Sequence, residues 1–280
     1  MTRGIKTPDH IKEGVLARWG FMGPQEIADD MGITLGQVNV LATRHHLHFD
    51  GVRRPLKPGD PAAVNSYSRF RKAKLEHPGE RGVLKPGAYQ RKLGAKVLKG
   101  AWKGMPIFSL TLEERATCPR TCKQWLDCYG NQMGRAVRYR HGAPLESAIL
   151  LDLFQLDRQH PGGFVVRLHI LGDFYSPQYV DFWRHCLEDF PGLHVFGYTA
   201  RLPADPIGAA VTSLRDARWD RFAIRTSGGK TGPRTLVVKR KAPAGAIICP
   251  AQTGGTTHCG ACALCWATAA RHRPIAFKQH

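Results

Sequence analysis

Seven of the eight cysteines in this 280-residue chain fall into two groups. The first is Cys118-x3-Cys122-x5-Cys128, and the second is Cys249-x9-Cys259-x2-Cys262-x2-Cys265. Thiolates gathered from one loop are soft ligands, suited to zinc or to the iron of an iron–sulfur cluster. The second group offers four, three of them at the C-x2-C-x2-C spacing common among iron–sulfur proteins; four thiolates also make a closed structural zinc site. The first group offers three. A structural zinc there needs a fourth ligand, for which His141 is the nearest downstream candidate. A 4Fe–4S cluster held by three cysteines instead leaves one iron open. Cys186, inside "YVDFWRHCLEDF", reads as a buried helix residue and not as a ligand.

These cysteines need elements to place them. "MPIFSLTL" is a short apolar run that leads into the first group, and "GRAVRYRHGAPLESAILLDLFQLDRQ" reads as helical. "GFVVRLHILGDF" is a buried strand, "PQYVDFWRHCLEDF" a helix, "LHVFGYTARL" a strand, "PIGAAVTSLRDA" a helix and "DRFAIRTS" a strand. "RTLVVKRK" and "AIICPAQT" are two further strand candidates. Strand and helix in alternation imply an α/β fold with a parallel sheet, here expected to be a partial (β/α) barrel whose functional groups collect at the C-terminal strand ends. His169 and His194 fall within strands and read as hydrogen-bonded core histidines. Arg167 and Arg201 flank the same strands, as anion clamps or as plain surface.

The chain carries 41 Lys and Arg against 22 Asp and Glu, a formal charge of +19 spread along its length. That balance fits a polyanionic partner, of which nucleic acid is the commonest. Within residues 1–50, "PQEIADDMGITLGQVNVLATRHHL" reads as two short helices about a Gly turn, with Ile27, Ala28 and Met31 inside one and Val38 with Leu41 inside the other. The pattern is that of a helix-turn-helix whose second helix would present Thr34, Gln37, Asn39, Thr43 and Arg44 to DNA. Residues 51–104 read as a basic linker or arm suited to phosphate contact, and 105–280 as the metal-binding α/β domain. The first residues lack the apolar core of a signal peptide, and no apolar run is long enough for a membrane span, so a cytoplasmic protein is expected. In a reducing compartment its cysteines point to metal or catalysis and not to disulfides.

Strand, three-cysteine loop, helix, then a strand ending in Gly172-Asp173 resembles the opening of radical S-adenosylmethionine enzymes, with Tyr129 as the aromatic residue that follows the third cysteine. "CPRTC…CYG", "VVRLHILGDFYSPQYVDFW" and the terminal ICP…C-x2-C-x2-CW motif are similar to an uncharacterised family of phage and mobile-element proteins, over about residues 105–280. The first resemblance implies that Cys118, Cys122 and Cys128 ligate a 4Fe–4S cluster and that Gly172, Asp173 and Tyr129 serve bound S-adenosylmethionine. It also implies that Cys249, Cys259, Cys262 and Cys265 hold an auxiliary cluster. The chain departs from that pattern in the five residues between Cys122 and Cys128 and in an Asp where a Glu is usual. The function so implied is an iron–sulfur, radical SAM-like protein that acts on or binds nucleic acid. The alternative is a DNA-binding transcriptional regulator with structural or redox-sensing metal centres, zinc included.

Overall fold

The computed structural model of the chain describes residues 8–20, 22–47, 74–76, 82–124, 128, 130, 133, 136–239 and 241–278. Ten strands are described: β1 (Lys74–Glu76), β2 (Lys85–Pro86), β3 (Ile107–Ser109), β4 (Val137–Tyr139), β5 (Phe164–Leu168), β6 (Leu193–Thr199), β7 (Phe222–Ser227), β8 (Arg234–Val238), β9 (Ile247–Ile248) and β10 (Ile275–Lys278). Eight of them form one sheet in the order β2-β3-β5-β6-β7-β8-β10-β9, parallel throughout except where β2 meets β3. β1 and β4 pair separately, also in parallel. The crossovers β5–β6 and β6–β7 run through the helices α6 (Pro177–Asp189) and α7 (Pro206–Ala217), and α5 (Ala143–Gln159) leads into β5.

Alternation along the strands divides the interior in two, because successive side chains of a strand face opposite ways. Phe164, Val166, Leu168, Leu193, Val195, Phe222 and Ile224 meet α5, α6 and α7 in one core. Val165, Phe196 and Ala223 face the other way, into a core closed by Leu93, Val97, Trp102, Ala263, Cys265 and Trp266. The helical layer therefore covers one face, and the second cysteine group with residues 93–102 covers the other.

The eight-stranded sheet is not closed: β2 and β9 end the strand order and do not pair with each other. Two expectations change. The stretch 134–159 is not helical throughout, since Val137–Tyr139 is a strand and Gly142, at φ +117°, turns the chain before α5 begins. Residues 82–104 are not linker; Val83, Leu84, Leu93, Val97 and Trp102 are buried, and β2 extends the main sheet. β10, which no strand signal announced, inserts between β8 and β9.

The N-terminal unit is three helices, α1 (Asp9–Arg18), α2 (Pro24–Met31) and α3 (Leu35–Arg44), about Val15, Met22, Ile27, Ala28, Val38 and Leu41. Gly32 ends α2 in the left-handed region at φ +65°, as the tight turn requires. Thr34 and Gln37 close a capping box: Thr34 Oγ1 accepts from the Gln37 amide at 3.2 Å, and Gln37 Oε1 accepts from the Thr34 amide at 2.8 Å. Among the described residues no helix is long and apolar enough to cross a membrane.

Asp152 on α5 fixes the start of the α/β body. Its Oδ2 accepts from the amides of Val83 at 2.6 Å and Leu84 at 2.7 Å. Asp152→Ala leaves both amides without their acceptor, at an expected cost of about 1–3 kcal/mol. A lowered urea midpoint with an unchanged m-value is the expected readout, and Asp152→Asn should recover part of it.

Candidate metal centres

The first cysteine loop leaves the sheet after β3 through a short helix, α4 (Glu114–Thr117). The amide of Cys118 donates to Glu114 O at 3.0 Å, and that of Cys122 to Pro119 O at 2.9 Å. Each thiol of the group lies within electrostatic reach of another. Burial holds Cys118 well above the ordinary thiol range, pushes Cys122 up to about 11 and raises Cys128.

Two arginines and one carboxylate hold this loop. Arg138, on β4, is fully buried and makes a two-pronged ion pair with Glu114, Nε to Oε2 at 2.8 Å and Nη2 to Oε1 at 3.2 Å. Its remaining N–H groups donate to the carbonyls of Gly130, Met133 and Ala136 at 3.0–3.1 Å, so it organises the chain just beyond Cys128. Arg201 donates to Thr117 O at 2.9 Å, Phe174 O at 3.1 Å and Asp205 Oδ2 at 3.3 Å. It is neither free clamp nor plain surface, because it ties the residue before Cys118 to the residue after Asp173.

Asp173 is buried where the ends of β5 and β6 meet this loop. Its Oδ1 accepts from the Phe174 amide and from Thr199 Oγ1, each at 2.7 Å, and its Oδ2 accepts from the Ala200 amide at 2.7 Å. Its own amide donates to Thr117 Oγ1 at 3.1 Å. Burial lifts its pKa to about 6 against the pull of these donors and of Arg201. Gly172 beside it sits at φ +88°, and a Cβ there would stand 2.6 Å from Leu112 Cβ and 2.7 Å from Thr117 Oγ1. The Gly-Asp pair is thus a junction that admits no side chain at its first position. Tyr129 lies outside the described residues.

The second group is assembled from three places. Cys249 follows β9 and donates its amide to Ala276 O of β10 at 2.8 Å. Cys259 and Cys262 lie on α8 (Cys259–Cys262), whose N-cap is His258, with Nδ1 accepting from the Ala261 amide at 3.1 Å. Cys265 follows, its Sγ 2.9 Å from Tyr198 Oη on β6. Electrostatic coupling links Cys249, Cys259, Cys262 and Cys265 to one another. Burial pushes Cys259 up to about 12 and raises Cys249 and Cys265.

Arg225 of β7 does here what Arg138 does for the first loop. It is fully buried, and its five N–H groups go to the carbonyls of Leu264, Cys265, Ala270, Arg271 and Arg273 at 2.8–3.4 Å. Among the described residues no carboxylate pairs with it, and burial lowers its pKa. Arg167 of β5 lies on the side of the second group. It stacks over Tyr198 at 4.5 Å, donates to His169 O at 2.9 Å and reaches Cys259 electrostatically.

The donors are the soft thiols that zinc and iron–sulfur clusters take, and the sequence spaces them as three and four. The sulfurs do not already converge on common points: among the described residues no three His, Cys, Asp or Glu side chains form a metal-holding set. Ligation would have to draw them together and displace their protons. His141 is engaged elsewhere, Nδ1 to Glu113 Oε1 at 2.5 Å. Cys186 is buried in the helical core, as expected. His169 is a core residue 3.2 Å from Tyr179 Oη, its pKa lowered to about 3 by burial, and His194 meets Gly192 O at 3.0 Å. Thr34, Gln37, Asn39, Thr43 and Arg44 are all exposed on or beside α3, and Thr34 and Gln37 already bond each other. The N-terminal unit touches the first cysteine loop, through Arg115 with Glu26 at 3.7 Å and Arg120 with Gly20 O at 3.1 Å.

Fold and site together define an open α/β protein whose two cysteine groups are each built around a buried arginine. The chain belongs to the phage-type family described as Gene product 88, whose model matches residues 83–268. No curated protein and no solved structure matches it.

Sequence reasoning missed Arg138 and Arg225. The available signal was an arginine inside an apolar strand, in "VRY" and in "FAIRTS". Arg138→Met takes the guanidinium away from the buried Glu114 carboxylate, and breaking such a pair costs about 3–5 kcal/mol. Denaturant unfolding should show a loss of that size, and the double variant Arg138→Met/Glu114→Leu should recover a measurable part.

Proposed function

We propose that this chain is a two-centre metal–thiolate protein that works on nucleic acid. Cys118, Cys122 and Cys128 hold an iron–sulfur centre with one open iron, and Cys249, Cys259, Cys262 and Cys265 hold a closed one. The observation that carries the reading is Arg225, a fully buried cation beside Cys265 with no acidic partner among the described residues. An uncompensated charge in the interior is costly, and a centre bearing thiolates supplies the missing negative charge. Arg167, close to Cys259, adds to the same balance. The basic excess of the chain supports the choice of partner.

An iron–sulfur cluster supplies one-electron transfer and, with three protein ligands, a free iron for an incoming atom. The chain's own residues orient and shield. Arg138 fixes the carbonyls beyond Cys128, while Arg201 holds the carbonyl of Thr117 and the Asp173 amide holds its hydroxyl. Three of about four acceptor positions on Asp173 are occupied, which leaves one on Oδ2 for an ammonium such as that of S-adenosylmethionine.

A second reading, the DNA-binding regulator, is favoured by the contact of the three-helix unit with the first cysteine loop. Under that reading a change at the first centre alters how α3 is presented to duplex DNA.

Iron, acid-labile sulfide and zinc counted per chain after anaerobic purification test the proposal. The expected result is brown protein with iron and sulfide in comparable amounts. Cys118→Ser/Cys122→Ser/Cys128→Ser and Cys259→Ser/Cys262→Ser/Cys265→Ser should each remove only a part of both. Colourless protein containing zinc, or no metal at all, would overturn the iron–sulfur assignment.

A further inference from the structure

The segment 85–103 has two unlike sides. Leu93, Val97 and Trp102 are buried in the core beneath the second cysteine group. Arg91, Lys92, Lys96, Lys99 and Lys103 are all exposed. No Asp or Glu occurs between residues 82 and 112, and none of these five cations is ion-paired among the described residues. The contrast with other surface arginines is plain: Arg18 pairs with Asp30, Arg184 with Asp181 and Glu188, and Arg271 with Asp216.

This ribbon is held in place. The Cys259 amide donates to Lys92 O at 2.8 Å, the Gly260 amide to Leu93 O at 3.0 Å, and the Leu98 amide to Gly260 O at 2.9 Å. A Cβ on Gly94 would collide with the His258 ring at 2.2 Å, and one on Gly260 with Lys96 O at 2.2 Å, so the two backbones meet closely. The ordering of the basic backbone is therefore complete before any ligand arrives, which lowers the cost of binding. At one end stands Tyr89, 76% exposed, with no ring packed on it among the described residues.

We infer that this ribbon seats a single-stranded nucleic acid, its phosphates on the five cations and a base stacked on Tyr89, so that the strand crosses the second cysteine group. The inference rests on the nucleic-acid reading above and adds the strand type and its place. A row of unpaired cations suits any polyphosphate. A bare aromatic ring beside it suits a strand whose bases are free to stack, because a duplex keeps its base faces covered. Phosphodiester and base are common to DNA and RNA, and both enter the test.

Fluorescence anisotropy of the full-length chain with labelled single-stranded DNA, single-stranded RNA and duplex DNA, at several salt concentrations, measures this. Arg91→Gln/Lys96→Gln/Lys99→Gln/Lys103→Gln should lower the steepness of log K against log salt for single strands by about 3. Tyr89→Ala should weaken single-strand binding by about 5- to 150-fold, leave duplex binding unchanged, and be rescued by Tyr89→Trp. All five positions are exposed, and matching melting temperatures confirm that the variants fold. The control Lys230→Gln/Lys239→Gln/Lys241→Gln/Lys278→Gln removes the same charge elsewhere. If the control alters the slope as much as the ribbon variant, or if neither ribbon variant changes single-strand binding, the ribbon is not the seat and the nucleic-acid reading stands. If the wild-type chain binds no nucleic acid even at low salt, both fall. Tighter binding of one single strand over the other names the natural one.

Discussion

A guanidinium withdrawn from water must find acceptors for five N–H groups, and that requirement shapes both chemically interesting regions of this protein. Arg138 meets it with Glu114 and three carbonyls of the chain beyond Cys128. Arg225 meets it with five carbonyls from residues 264–273, the stretch that contains Cys265. Both loops are irregular, and irregular backbone inside a protein is stable only if its polar groups are satisfied. A single buried side chain that satisfies three to five carbonyls at once allows a cysteine-bearing loop to pack against a sheet without forming a strand or a long helix.

The sheet gives these loops their positions. β5 and β6 bring Asp173 and Thr199 together at their C-terminal ends, where α4 delivers Cys118. The same strands turn Arg167 and Tyr198 toward the opposite face, where Cys259 and Cys265 lie. Gly172 allows the tightest part of this junction, because Leu112 and Thr117 occupy the space a side chain would fill. The two cysteine groups are consequently not independent appendages. They share β5 and β6 as a floor, and the three-helix unit leans on the first of them.

Much of this was legible in the sequence wherever one local rule decided the outcome. The limits of α7, with Asp205 as cap and Pro206 at its first turn, coincide with "PIGAAVTSLRDA". Strands β5, β6 and β7 follow their apolar runs, and Cys186 and His169 are core residues as their settings imply. What was not legible depends on partners remote in sequence. The segment 82–104 is rich in Lys and Gly, and looks like a linker until the second cysteine loop, about 160 residues later, covers its apolar side. β10 is only four residues long, and pairing with β8 and β9 makes it a strand. Strand alternation marks Arg138 and Arg225 as odd residues, yet says nothing of which carbonyls would receive them.

If both cysteine groups bind metal through sulfur as proposed, metal-edge X-ray absorption on the full-length, anaerobically prepared chain will show a first shell dominated by sulfur at about 2.3 Å. That shell should be thinned but not abolished when the second group is changed to serine. A shell of nitrogen and oxygen, or one unaltered by serine at both groups, would contradict the proposal.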